Sequence, residues 1–145
     1  MRRHFETSDM LEAEHAARER LARQIKKPIH KISDGLWGVD WAVYTESGEL
    51  YGVIEFKKRN HKKGQYPDVR MSGMKYLRLK QYAETFGVKS SIVVEFTDCV
   101  GIVGVNDIEP DLVAFGRTSN FRDEFEVEPC ISIPCENFMV ITDET

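Results

Sequence analysis

The chain has 145 residues, 41% of them hydrophobic and 30% charged, enough for one domain with a real core and too few for two ordinary ones. A net charge of −4 argues against a protein that coats nucleic acid indiscriminately. No run approaches the roughly 20 apolar residues of a membrane span, and the start, MRRHFETSD, lacks the apolar stretch of a secretory signal.

Thr7, Ser8 and Asp9 offer N-caps for a first helix that runs to about Lys26 and is ended by Pro28. Leu11, Leu21 and Ile25 share one face of it, and Glu14 falls in the same sector. A carboxylate inside an apolar stripe needs a partner. Arg18, at i+4, is one candidate, and a metal ion is the other. Ile29 to Ile32 can supply a first strand before a turn at Asp34-Gly35.

Next comes GLWGVDWAVYTESGELYGVIEFKKRN, two apolar β-rich runs around the polar turn Thr45–Glu49. A two-residue turn at Ser47-Gly48 pairs Glu46 with Glu49; a four-residue loop pairs Thr45 with Leu50. Both registers place Asp40 directly opposite Glu55. Opposed residues in an antiparallel pair have Cβ atoms about 4.5–5.5 Å apart, and like charges there are destabilising. A divalent cation between them resolves the conflict, because hard ions take carboxylate oxygens. Lys57, two residues on, shares the face of Glu55. As plain structure, the three would be strand-edge and surface residues. Their neighbours Val39, Trp41, Val43, Val53, Ile54 and Phe56 are apolar, and strands so flanked should not carry such charges without a purpose.

Lys57, Lys58, Arg59, His61, Lys62 and Lys63 then form a basic run. It reads either as a solvated loop or as a face for a phosphate backbone. Asn60 to Arg70 reads as a loop with Gly64, Tyr66 and Pro67. Ser72 can cap a second helix ending near Phe86, with Gly87 as its stop and Tyr76, Leu79, Ala83 and Phe86 as its apolar face. Lys75 lies in its first turn. SIVVEFTD and VGIVGVN read as two strands joined near Asp98–Cys99. From Asp107 to Thr145 short β-prone pieces alternate with prolines. Two roles are open to that extension: covering a sheet edge, or forming a subunit contact in a homo-oligomer. Cys99, Cys130 and Cys135 have no CxxC spacing, so reduced thiols in a cytoplasmic protein are expected, without a structural zinc.

The Asp40…Glu55-Phe56-Lys57 arrangement, on strands between two helices, resembles the PD-(D/E)xK nuclease superfamily. The likeness runs from about Asp9 to Asn106 and is closest to small phage-type members. Val39 stands where the superfamily often has proline, a loosely kept position. The resemblance implies an α/β, single-domain, restriction-endonuclease-like core of order α-β-β-β-α-β with a mixed sheet. That core is expected over about 9–106 of a single domain spanning 1–145, with 107–145 as a C-terminal β extension.

It further implies Mg2+ or Mn2+ held by Asp40, Glu55 and the carbonyl of Phe56, with Lys57 serving the attacking water. Glu14 would bind a second ion or an outer-shell water. Lys58, Arg59, Lys62, Lys63, Tyr66 and Lys75 would contact nucleic acid. The resembling proteins often have a lysine of the second helix near the site, and Lys75 matches it best, although a plain surface lysine is the commoner reading of that position. The expected function is a metal-dependent deoxyribonuclease that hydrolyses DNA in phage-type processing, recombination or repair, in the host cytoplasm if phage-encoded. The alternative is a nuclease-like fold with an unused site, acting as a nucleic-acid-binding or assembly module.

Overall fold

A computed structural model describes residues 8–32, 39–108, 111–116 and 128–141. The turn expected at Asp34-Gly35 and the cap residue Thr7 lie outside the described residues. Helix α1 spans Ser8–Ile25, and Lys26 leaves it with φ 57° ahead of Pro28. Its buried stripe is Glu14, Ala17 and Leu21. Leu11, expected on that stripe, is exposed, because its turn precedes the stretch that meets the sheet.

Strands β1 (Ile29–Lys31), β2 (Trp41–Tyr44) and β3 (Leu50–Lys58) form an antiparallel meander. Strand β5 (Lys89–Glu95) joins β3 in parallel, and β6 (Val100–Gly104) pairs back against β5. Between them the chain forms β4 (Asp68–Ser72) and α2 (Gly73–Phe86). A parallel neighbour needs such a crossover, and α2 supplies it. Strand β9 (Met139–Val140) completes the sheet in the order β1-β2-β3-β5-β6-β9. A second, antiparallel sheet has the order β4-β8-β7, with β7 at Asp111–Gly116 and β8 at Glu128–Pro134. The C-terminal extension therefore does cover the β6 edge through β9, while β7 and β8 build the small sheet. The loop expected from Asn60 to Arg70 ends at Pro67, because Asp68 onward pairs with Pro134 and its neighbours.

The hairpin tip matches neither expected turn. Thr45 accepts from the N–H of Gly48 (2.9 Å), donates its own N–H to Glu49 (2.8 Å), and its hydroxyl takes the Glu49 N–H (3.1 Å). This is a three-residue loop, and Gly48 with φ 89° supplies the left-handed residue it needs. A bulge between Val43 and Tyr44 absorbs the odd residue. Trp41↔Ile54, Ala42↔Val53 and Val43↔Gly52 therefore keep the expected register.

Two cores flank the main sheet. Ala17 and Leu21 of α1 pack on Trp41, Val43, Ile54 and Val93. On the other side, Tyr76 and Leu79 of α2, with Val69, Met71, Ile131 and Ile133 of the small sheet, pack on Val53, Ile92, Val94 and Val103. Ser72 caps α2 by accepting the Lys75 N–H (3.3 Å), and Gly87 ends the helix in a left-handed conformation. Phe86, expected on the apolar face, is exposed at the last turn, stacked on Tyr82, which packs against the core instead. Among the described residues no helix is long and apolar enough to cross a membrane.

Candidate active site

Asp40 stands at the entry to β2, where its N–H donates to the carbonyl of Ile54 (3.1 Å). Its Oδ2 accepts the backbone N–H of Phe56 (2.8 Å), which pins the carboxylate over β3 beside Glu55. Glu55 is buried, and alternation along β3 turns it toward α2 rather than α1. Lys75, in the first turn of α2, brings its Nζ to 3.7 Å from Glu55 Oε1. The other oxygen, Oε2, is buried with no hydrogen-bond donor, and the carboxyl group lies close enough to Asp40 to share a proton with it.

The electrostatics follow from that crowding. Burial raises the Glu55 pKa to about 7, and the neighbouring Asp40 charge pushes the same way, while Lys75 and Lys57 oppose it. Burial also lowers the Lys57 ammonium to about 8, reinforced by Lys75 and opposed by Glu55. The structure thus brings together Asp40, Glu55, Lys57 and Lys75.

These residues fit a hard divalent cation. A buried carboxylate oxygen without a partner, beside a second, oriented carboxylate, is a costly arrangement that an ion would relieve. Among the described residues no group of three or more His, Cys, Asp or Glu side chains forms a larger ligand cluster. Two carboxylates suffice for magnesium, which keeps several of its waters.

The other expected residues lie outside this group of four. Glu14 does not pair with Arg18, and its carboxylate is taken up on the α1 side of the sheet rather than at the metal position expected for it. Its Oε2 accepts from Lys31 Nζ (2.9 Å) and its Oε1 from Trp41 Nε1 (3.0 Å), in the layer between α1 and the sheet. Arg18 instead contacts His15 Nδ1 (3.0 Å). Arg59 donates to the carbonyls of Lys58 (3.1 Å) and Arg70 (2.8 Å), so it ties the end of β3 to β4. Phe56 turns its ring onto Trp41 (centroids 5.1 Å apart) and offers its backbone to the site. Lys58, Lys62 and Tyr66 are exposed, and Lys63 is half-buried.

The model of a family described as "Phage putative PDDEXK endonuclease" matches residues 1–141. The chain belongs to this family. The fold agrees. Archaeoglobus fulgidus Hjc, a Holliday junction resolvase, superposes with a TM-score of 0.56 at 16% identity, covering 90% of this chain and 92% of its own. D212, a nuclease from a fusselovirus, gives 0.57 at 14% identity, covering 98% and 92%. A search of curated proteins finds no match.

In this PDDEXK endonuclease the sequence left two partnerships unread. Strand alternation turns Trp41 away from Asp40, toward α1, and so toward Glu14. That signal was available. The approach of Lys75 to Glu55 was legible only through the resemblance, which expects a lysine of the second helix near the site; the contact itself depends on β4 carrying the start of α2 alongside β3.

Proposed function

We propose that this protein is a metal-dependent DNA endonuclease in which Asp40 and Glu55 hold a magnesium or manganese ion. The observation that carries the reading is the buried, unpartnered Oε2 of Glu55 beside the oriented carboxylate of Asp40, on the same face as two lysines. The carbonyl of Phe56 is a further candidate ligand. When bound, the ion polarises a water and neutralises phosphoryl charge.

The chain's own groups do the rest. The Phe56 N–H orients Asp40. Lys57, whose pKa lies near 8, can exchange a proton with water close to neutral pH and place positive charge where the pentavalent phosphorus develops its negative charge. Lys75 balances Glu55 and extends the positive face toward α2. Lys58, Lys62 and Lys63 hold backbone phosphates beyond the site. Arg59 supports them by bracing Lys58 rather than by reaching outward. Glu14 fixes Trp41, on which Phe56 stacks.

DNA is the proposed substrate, with branched DNA a leading form because one structural neighbour is a junction resolvase. The proposed place of action is the cytoplasm, that of the host if the protein is phage-encoded. The test is incubation with supercoiled plasmid, linear duplex, single strands and a four-way junction, with magnesium or manganese and then with chelator. Chelator-sensitive cleavage of at least one substrate supports the reading. No cleavage of any of them contradicts it and favours a binding or assembly module.

A further inference from the structure

A groove of about 520 Å³ opens where the basic loop meets the small sheet. Its lining includes Tyr66, Pro67, Asp68, Ser132, Pro134 and Glu136. The size is that of a small-molecule site. Tyr66 is 53% exposed, yet its loop is fixed. The carbonyl of His61 accepts from Thr97 (3.0 Å), Lys63 N–H donates to Asp98 Oδ1 (2.9 Å), Gln65 N–H to Lys62 (3.1 Å), and Cys135 N–H to Pro67 (2.9 Å). The His61 ring stands edge-on to Tyr66, with centroids 4.8 Å apart. An aromatic ring held open to solvent on a braced loop is a stacking platform.

The polar lining narrows the ligand. Asp68 and Glu136 accept hydrogen bonds and repel phosphate. The Ser132 hydroxyl donates to Asp68 Oδ2, which fixes that carboxylate in the groove. Among the parts of a nucleic acid, a base both stacks on tyrosine and donates N–H groups to carboxylates, and the exocyclic amines of cytosine, adenine and guanine give them a donor that thymine lacks. Lys58, Lys62 and Lys63, just before Tyr66 in the chain, would hold the phosphates of the same strand. Asp68 and Ser72 begin and end β4, about 14 Å apart at the strand rise, and Ser72 caps the helix turn that carries Lys75.

We propose that this groove takes one unstacked, amino-bearing base of the bound strand, with cytosine, adenine or guanine favoured over thymine. It therefore selects DNA with unpaired bases near the cut. The proposal rests on the nuclease reading above.

Its test is binding by the full-length protein in chelator, followed by fluorescence anisotropy. The probes are a blunt duplex and the same duplex carrying a short single-stranded overhang of cytosine or of thymine. Wild type should prefer the cytosine overhang. Tyr66→Ala should weaken overhang binding about tenfold, the scale of one lost stacking contact, and leave the blunt duplex nearly unchanged. Tyr66→Trp should restore it, and Glu136→Ala should narrow the preference for cytosine over thymine. A 2-aminopurine in the overhang should be quenched by wild type and not by Tyr66→Ala. Equal binding of blunt and overhang probes by wild type, or equal loss on both in Tyr66→Ala, would overturn the groove and leave the nuclease reading standing. No binding of any probe would also overturn the groove, while the nuclease reading stands or falls on cleavage with metal.

Discussion

Glu55 and Lys57 are each held where their charge is disfavoured, and this sets a pH signature. The unfolded Glu55 releases its proton near its ordinary value of 4.5, and the folded one near 7. The fold therefore loses stability as pH rises between those values, and the penalty persists above them. Lys57 is the mirror case. Its penalty is present below about 8 and is relieved as pH rises toward 10.5, where the unfolded lysine also loses its proton. Without metal, both penalties act together near pH 7 to 8. Denaturant midpoints of wild type and Glu55→Gln, compared in chelator, isolate the first. The variant should gain on wild type as pH rises from 4.5 to 7, and a constant gap would show that Glu55 is not buried as an acid. Chemistry at Lys57 separates from binding. Lys57→Ala should lower single-turnover cleavage by about 10²-fold or more, while Lys62→Ala weakens binding in a salt-dependent way and spares that step. Full single-turnover activity in Lys57→Ala would remove the lysine from the reaction. The opposition of Asp40 and Glu55 was legible because strand alternation and hairpin register are local, and the bulge at Val43/Tyr44 cancelled the wrong turn length. The role of Arg59 was not legible, because nothing nearby in sequence shows that Arg70 returns to it.

At the scale of elements, one buried acid adds a polar tie between α1 and the sheet to the apolar packing of Ala17 and Leu21. Glu14 accepts from Lys31 on β1 and Trp41 on β2, and Trp41 in turn carries the ring of Phe56. Removing the carboxylate strands the indole N–H in a dry layer. Glu14→Ala should therefore destabilise the fold by about 2–4 kcal/mol, combining a lost charged hydrogen bond with an unsatisfied buried donor. Urea unfolding checks this, and a loss below about 0.5 kcal/mol, the level of an ordinary surface change, would show that the tie carries no load. The apolar stripe that makes α1 a helix was readable, as was the need of Glu14 for a partner. The partners lie 17 and 27 residues away, beyond any helical i+4 rule.

At the scale of the molecule, the main sheet places its two central parallel strands, β3 and β5, between two unlike layers. The α1 layer is stabilising. The α2 layer delivers Lys75 to Glu55 and, through β4, joins the site to the tyrosine groove. The pairing of β4 with β8 joins residues more than 55 positions apart, which is why the small sheet was invisible in the sequence while the order of core elements was not. Metal should act on this whole. Magnesium or manganese should raise the melting temperature of wild type and raise that of Asp40→Asn much less. An equal rise in both would place the ion elsewhere.

The most direct measurement is single-turnover DNA cleavage by Glu55→Gln beside wild type, at saturating enzyme and with manganese. Glutamine keeps the size of the side chain and removes a charge that the fold opposes, so the variant should stay folded and melt no lower than wild type in chelator. Cleavage should fall by about 10²-fold or more, because an electrostatic ligand of the reacting site is gone. Wild-type cleavage by a folded Glu55→Gln would contradict the assignment of Asp40 and Glu55 as the metal-bearing pair.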